Sequence, residues 1–458
     1  MKKAKQHLRL WVLLAIAVFF WTMGTGLSAG NEETYKGLKL LSDVIEIVEQ
    51  RYVDDVDPKT LIENAVQGMV HGLDPHSSLL PPDELKELQM DTQGEFTGIG
   101  ISIAMKDGFV TVVSPIQGTP AYRAGIKAGD RIIKADGEST RDLREAVKKM
   151  RGPKGTTVLI TVIRESEPEP IEFELVRDVI PIESVKYAAL KSGYGYVWIT
   201  NFQENTTRDL KAALEELENG DTPLKGLVLD LRDNPGGLLN QAISVADLFL
   251  GNGTILTVKG RDDKNESHYR AHNDPTDREY PIVVLINGGS ASASEIVAGA
   301  FQDHKRALLL GTTSFGKGSV QSVEHLREGY GLKLTIARYY TPSGRSIQAK
   351  GIEPDIELTY LPLDARAENE SGNERLTEKD LLNHLDAESG VPREGSGEAE
   401  QGKTGQDAPS SGEMEHPGLR GGGSRFDGLE PENLEKDNQI MRALEILISH
   451  NIFKGLTG

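Results

Sequence analysis

Two segments of this 458-residue chain repeat one plan: a short continuous apolar run, a glycine-rich loop, then a helical pattern. In the first, residues 226–231 (Gly-Leu-Val-Leu-Asp-Leu) lead into Arg232-Asp233-Asn234-Pro235-Gly236-Gly237, and residues 239–250 resume as a helix. In the second, residues 282–286 lead into Asn287-Gly288-Gly289-Ser290, followed by a helix over residues 291–304. An apolar run without polar alternation marks a strand buried on both faces, as parallel sheets require. Strands alternating with helices therefore predict an α/β core with parallel strands.

The second loop offers chemistry. Ser290, Ser292 and Ser294 alternate with alanines at the mouth of its helix. Unpaired N–H groups and the helix dipole favour a developing negative charge there. Serines at helix starts are commonly caps. With three available, Ser290 is expected to cap, while Ser292, just inside the helix, is free to act as a nucleophile. The amide of Ala293 would then donate to the oxyanion. Ser294 is the rival nucleophile.

A serine needs a base. No Gly-x-Ser-x-Gly elbow with an Asp-His-Ser order is present. His304 lies too far along the same helix, and His76 and His325 sit in polar stretches elsewhere. Lys317, between Gly316 and Gly318 and near Phe315 and Val320, is the better candidate. Drying its surroundings would lower its pKa toward neutrality and yield a neutral amine. Gln321, four residues on, could hold the ammonium or the serine. The run from Gly311 to Lys317 also fits the Gly-x4-Gly-Lys phosphate loop. Gly318, however, stands where a Ser or Thr should hold magnesium, and residues 320–323 alternate like a strand, so nucleotide binding is set aside.

Upstream, residues 34–90 read as helices, with Leu38, Leu41, Val44, Ile45 and Val48 at three- and four-residue spacing. Leu73-Asp74-Pro75-His76-Ser77-Ser78 reads as a turn, and Pro82 starts a short helix. From Gly94 the period changes to two, with strands around Lys106-Asp107-Gly108 and further strands at residues 158–164 and 171–176. With Ala124-Gly125-Ile126-Lys127-Ala128-Gly129-Asp130-Arg131-Ile132 between them, this order resembles a PDZ domain. The resemblance implies that Gly98, Ile99, Gly100 and Ile101 form the loop that binds a peptide's C-terminal carboxylate. Glycines there free backbone N–H groups to face one point, and the adjacent sheet edge lets a peptide add as a strand.

Together these motifs resemble the carboxy-terminal processing peptidases, or tail-specific proteases, of the PDZ-bearing Ser/Lys class. The similarity covers residues 34–360 and rests on residues 290–295 (Ser-Ala-Ser-Ala-Ser-Glu), residues 316–321 (Gly-Lys-Gly-Ser-Val-Gln), residues 229–237 and the PDZ block. It implies Ser292 as nucleophile, Lys317 as general base and Gln321 as the residue that positions the lysine. It further implies that Gly236 or Gly237 supplies a second oxyanion amide beside Ala293, and that the core is a crotonase/Clp-protease-like α/β fold. No metal or other cofactor is expected.

Charge and composition bound the rest. The net charge of -19 and the absence of a basic run beyond the first nine residues argue against nucleic acid as a partner. Residues 364–437 hold 19 acidic and 8 basic side chains, so the acidity belongs mainly to a tail. Lys2, Lys3, Lys5 and Arg9 precede an apolar run over residues 10–23, and small residues follow at Gly24, Gly26, Ser28, Ala29 and Gly30. That order predicts an exported protein of the cell envelope or periplasm, with residues 1–29 a signal peptide or an N-terminal membrane anchor. The chain contains no cysteine, which excludes disulfides and a thiol nucleophile.

The expected organisation is an N-terminal helical region at 34–93 packed on the core, an inserted PDZ domain at 94–178 and a peptidase core at 179–361. An acidic, mostly disordered linker follows at 362–432, with a short helix over 378–385, and a docking C-terminal helix at 433–458. The helices at both ends are candidates for a homodimer contact. The expected partners are protein substrates with exposed C-termini.

Overall fold

The computed structural model describes residues 29–140, 142–261, 266–272, 278–361, 376–381, 383–386 and 434–457. Residues 1–28 of the export segment expected over 1–29, and most of the acidic linker, lie outside these residues. Among the described residues no helix is long and apolar enough to cross a membrane.

The chain divides into two compact units, residues 1–73 and 74–458. The described part of the first is a pair of helices, α1 (Ala29–Arg51) and α2 (Pro58–His71). Asp57 caps α2 by accepting the N–H groups of Lys59 and Thr60, both at 3.3 Å, and Pro58 stands in the first turn, where no N–H is needed.

The second unit begins with β1 (Ser78–Leu80), which continues the turn foreseen at Leu73–Ser78 as a short strand, and α3 (Pro82–Gln93). Gly94 ends α3 in the left-handed region at φ 79°. β2 (Glu95–Gly98) then leads into an antiparallel sheet of β3 (Ile101–Lys106), β4 (Phe109–Pro115), β5 (Arg131–Ala135), β6 (Glu138–Ser139), β7 (Thr157–Ile163) and β8 (Ile171–Val176). Helices α4 (Pro120–Ala124) and α5 (Leu143–Met150) flank it. Its order is β3-β4-β5-β7-β8, so β3 is an edge strand. Ile99, Val110, Val112, Ile132, Val158, Ile160 and Leu175 fill its own small core. β9 (Asp178–Pro181) pairs with β2 and closes the insertion.

The larger core is a six-stranded sheet. β10 (Val185–Lys191), β11 (Tyr194–Ile199), α6 (Thr206–Glu218), β12 (Gly226–Asp230) and α7 (Leu239–Asp247) come first. After the hairpin β13 (Thr254–Gly260) and β14 (Glu266–Arg270) come β15 (Ile282–Ile286), α8 (Ala293–Asp303) and β16 (Ala307–Gly311). β17 (Ser319–His325), β18 (Gly331–Tyr340), β19 (Ile356–Glu357) and α9 (Asn438–Thr457) complete the chain. The strand order is β10-β11-β12-β15-β16-β19, with every pair from β11 onward parallel. All residues of β12 and β15 are buried, which explains their unbroken apolar sequence. Leu227, Leu229, Val284 and Ile286 pack on one face with Ala242, Val245, Val297 and Phe301 of α7 and α8. Val228, Val283 and Leu285 pack on the other with Ile440, Ala443, Leu444 and Leu447 of α9.

The terminal helix is therefore a layer of the core; of the two places its apolar stripe left open, the body or a partner subunit, it packs on the body. A buried ion pair pins its start: Arg232 Nη1 meets Asp437 Oδ2 at 2.9 Å, and Arg232 Nε meets Asp230 Oδ1 at 2.9 Å. Tyr196 donates its hydroxyl to Asp230 at 2.9 Å. One expectation needs correction. The helix foreseen over residues 378–385 is a single 3-10 turn, Glu378–Asp380. Residues 376–381 and 383–386, inside the expected linker, pack on the body, and Glu378 is fully buried. Sequence composition weighs a whole window and misses one buried carboxyl inside it.

Candidate active site

Because β12 and β15 are adjacent and parallel, the loops that leave their C-terminal ends lie side by side, the usual place for a site on such a sheet. The three serines of the second loop divide their labour. Ser290 Oγ accepts the N–H of Asn287 at 3.0 Å and donates to the carbonyl of Leu231 at 2.7 Å, stapling the two loops together. Ser294 Oγ donates to the carbonyl of Asn234 at 2.9 Å. Ser292 is bound to neither loop by its hydroxyl and is half-buried. The expected capping order is corrected here: α8 starts at Ala293, Ser292 itself holds the N-cap position, and Ser290 does not cap. Ser292 sits at φ 53°, ψ −109°, a conformation that costs a non-glycine residue about 1–3 kcal/mol and is tolerated where surrounding bonds impose it.

Those bonds come from Glu295. Its buried carboxylate accepts the N–H of Ser292 at 2.8 Å, the Ser314 hydroxyl at 2.5 Å, the N–H of Gly316 at 2.7 Å and the N–H of Lys317 at 3.0 Å. Burial pushes its pKa up to about 7, against the opposing pull of these donors. Sequence reasoning quoted Glu295 as part of a motif and gave it no role. Its place three residues after Ser292 is the Ser-x-x-Glu capping-box spacing and was the available signal.

Lys317 lies in the loop between β16 and β17. Burial first, and then the Lys333 ammonium on β18, lower its pKa to about 8; Glu378, Glu295 and Asp74 pull the other way. Among the described residues its Nζ makes no hydrogen bond, to Ser292 or to any other group. The Tyr339 hydroxyl donates to the Lys317 carbonyl and also faces Ser292. Gln321 makes no hydrogen bond to Lys317 or Ser292 among the described residues. Its Nε2 donates to Ser319 Oγ at 2.9 Å and Thr335 Oγ1 at 3.3 Å. Thr335 Oγ1 in turn donates to Asp74 Oδ1 at 3.1 Å. After Lys317 the chain continues as β17, paired antiparallel with β18, so no helix N-terminus follows the Gly-Lys-Gly and no phosphate cradle forms.

The glycine pair in the first loop separates into two settings. Gly236, at φ 104°, donates its N–H to Asn234 Oδ1 at 2.8 Å. A Cβ on it would stand 2.9 Å from Ser292 Cβ and 3.0 Å from the Ala293 nitrogen, so this loop is packed against Ser292. Among the described residues, the N–H groups of Gly237 and Ala293 have no partner. The histidines are elsewhere: His304 Nε2 meets the Thr254 carbonyl at 2.7 Å, His76 Nε2 meets Glu378 at 2.8 Å, and His325 is exposed at the end of β17.

In the smaller domain, Gly98 ends β2, Ile99 is buried, Gly100 turns at φ 78° and Ile101 opens β3. A Cβ on Gly100 would lie 2.3 Å from Thr119 Cβ. The carbonyls of Ile99 and Gly100 accept N–H groups of Ala121 and Ile116, both at 2.9 Å. The loop's carbonyls are thus tied back, and among the described residues the N–H groups of Ile99 and Gly100 donate to nothing in the protein.

Comparison with known proteins agrees with this division. Peptidase family S41 matches residues 193–358, a PDZ domain matches residues 111–164, and the N-terminal domain of the activating protease CtpB matches residues 24–82. The carboxy-terminal-processing protease of Bartonella bacilliformis is 48% identical over 339 residues, 73% of this chain and 78% of that protein. The carboxy-terminal processing protease CtpA of Bacillus subtilis is 36% identical over 336 residues, 71% of each chain. Among solved structures, the photosystem II D1 C-terminal processing protease is 31% identical and covers 70% of this chain and 92% of its own, with a TM-score of 0.43.

Proposed function

The chain belongs to the carboxy-terminal processing proteases of peptidase family S41, and from that premise we propose an exported serine endopeptidase that cuts near the C-termini of envelope proteins through a Ser292–Lys317 dyad. The PDZ domain takes the substrate's end. Its carboxylate meets the unpaired N–H groups of Ile99 and Gly100, between Gly98 and Ile101, and the preceding residues add to the free edge of β3.

The scissile carbonyl then meets Ser292. Neutral Lys317 takes the hydroxyl proton as Ser292 Oγ attacks, and the N–H groups of Ala293 and Gly237 hold the oxyanion. Gly237 is assigned over Gly236 because the Gly236 N–H is already given to Asn234. Lys317 returns the proton to the leaving amine, and water, activated by the same amine, releases the acyl group. Gln321 would position the Lys317 ammonium through its Oε1, while its Nε2 stays on Ser319 and Thr335.

The observation that carries the reading is the Glu295 carboxylate, which binds the backbone of Ser292 and of Lys317 through one side chain. The test is incubation of the purified protein with a folded substrate bearing an unstructured, apolar C-terminus, read by intact-mass spectrometry. Products shortened at the C-terminus are expected from the wild type and none from Ser292→Ala. Equal product from both would exclude this mechanism; binding without product from the wild type would leave a peptide-binding adaptor instead.

A further inference from the structure

Residues 376–381 and 383–386 lie beyond the stretch matched to the peptidase family, yet they close on the lysine loop. Thr377 and Asp380 shape the turn, with the Thr377 N–H and hydroxyl donating to Asp380 Oδ2 at 2.9 and 2.6 Å. The turn presents Glu378, which is fully buried. Its carboxylate oxygens each lie 2.8 Å from His76 Nε2, across 302 residues of sequence, and one accepts Gln348 Nε2 at 2.9 Å. Gln348 Nε2 also donates to the Leu385 carbonyl at 3.1 Å, while its Oε1 accepts the N–H of Gly318 at 2.9 Å. The N–H of Glu378 donates to the Phe315 carbonyl at 3.2 Å. These bonds grip the loop two residues before Lys317 and one residue after it.

We propose that residues 376–381 and 383–386 belong to an intramolecular strap and that Glu378 is a positioning residue for Lys317, seating the loop that carries it, so that the strap sets the pH at which the protease works. The inference rests on Lys317 being the base. The charged groups facing Lys317 are Lys333 from β18, which opposes its charge, and Glu378, Glu295 and Asp74, which favour it; His76 shares the Glu378 carboxylate. Glu295 and Asp74 belong to the fixed core of the site. Glu378 is the member of this group carried by a separate segment, so seating or releasing that segment changes the lysine's environment without rebuilding the dyad. The acidic stretch thereby gains a specific task that its composition does not reveal.

The test is the pH profile of kcat/KM on one protein substrate for the full chain and for Glu378→Gln, Glu378→Asp and the double variant Thr377→Ala/Asp380→Ala. Removing the Glu378 charge should move the ascending limb to lower pH by about one unit, a roughly tenfold gain on its acid side. Glu378→Asp should keep the wild-type limb. The double variant alters only the exposed turn and should shift the limb in the same direction as Glu378→Gln; it decides the matter if Glu378→Gln does not fold. A limb that stays at the wild-type pH in the folded charge-removal variant, or a loss that is equal at every pH in Glu378→Gln and Glu378→Asp, overturns the proposal. Lys317→Ala is the control: turnover by it would remove the dyad itself, whereas an inactive Lys317→Ala with an unmoved Glu378→Gln limb would remove only the strap.

Discussion

The Glu295 carboxylate accepts the backbone N–H of Ser292 at 2.8 Å. Its other three donors, Ser314 Oγ and the N–H groups of Gly316 and Lys317, all come from the loop that carries the lysine. One buried side chain therefore holds the strained backbone of Ser292 and the backbone of Lys317, the proposed nucleophile and base, in a fixed relation. Glu295→Ala would leave four donors unpaired, of which those of Ser314 and Gly316 are buried and cost about 1–3 kcal/mol each. Its expected phenotype is a stability loss of at least about 3 kcal/mol in urea denaturation and a roughly hundredfold or greater fall in kcat/KM from misplacement of the dyad. Near-wild-type values on both measures would remove Glu295 from the framework of the site.

Lys317 gives the pH dependence its sign. With a pKa lowered to about 8, the amine is mostly protonated at pH 7 and mostly neutral at pH 9. The kcat/KM should therefore rise with pH and level off above about 8. Stability should follow the same group: between about 8 and the ordinary lysine value of 10.5 the unfolded chain binds more protons than the folded one, so this contribution to stability grows as pH rises across that window and is lost as pH falls through 8. Lys317→Met should flatten that part of the stability profile. An unchanged slope would show that Lys317 titrates normally.

Gly236 has no room for a side chain. Its φ of 104° suits glycine, and an added Cβ would stand 2.8 Å from the Ala291 carbonyl oxygen and 2.9 Å from Ser292 Cβ. Gly236→Ala should lower kcat by about a hundredfold or more while a fluorescent C-terminal peptide binds the PDZ domain unchanged, since the displaced groups are the nucleophile and its oxyanion amides. Peptide affinity and kcat falling together would point to a general folding defect.

The terminal helix supplies the fourth test. Asp437→Ala leaves the buried Arg232 guanidinium with Asp230 and Gln439 but strips one carboxylate from it. Breaking a buried pair in this way costs about 3–5 kcal/mol. Because Arg232 begins the glycine loop beside Ser292, activity should fall with stability. Denaturation midpoints equal to the wild type would show that α9 is held by its apolar face alone.

Much of this was legible in the sequence because it is local. The continuous apolar runs of β12 and β15 announced a parallel sheet, and the loops after them announced where the site would lie. The alternating residues after the Gly-Lys-Gly announced a strand where a phosphate loop needs a helix. Relations across the fold were not legible. Ser292 became the N-cap because Ser290 was needed to bind Leu231, 59 residues away. Gln321 faces Thr335 because Asp74, from the N-terminal turn, completes that network. Glu378 was hidden by its neighbours, whose acidity and low apolar content describe a solvated tail, while one turn among them is buried against His76.

The most direct test of the dyad is the kcat/KM of Lys317→Ala, measured on a protein substrate with an unstructured C-terminus and compared with His304→Ala and His325→Ala. Loss of the base should cost a factor of about 10³ or more in Lys317→Ala, with both histidine variants close to wild type; turnover by Lys317→Ala within a few-fold of wild type would contradict the account.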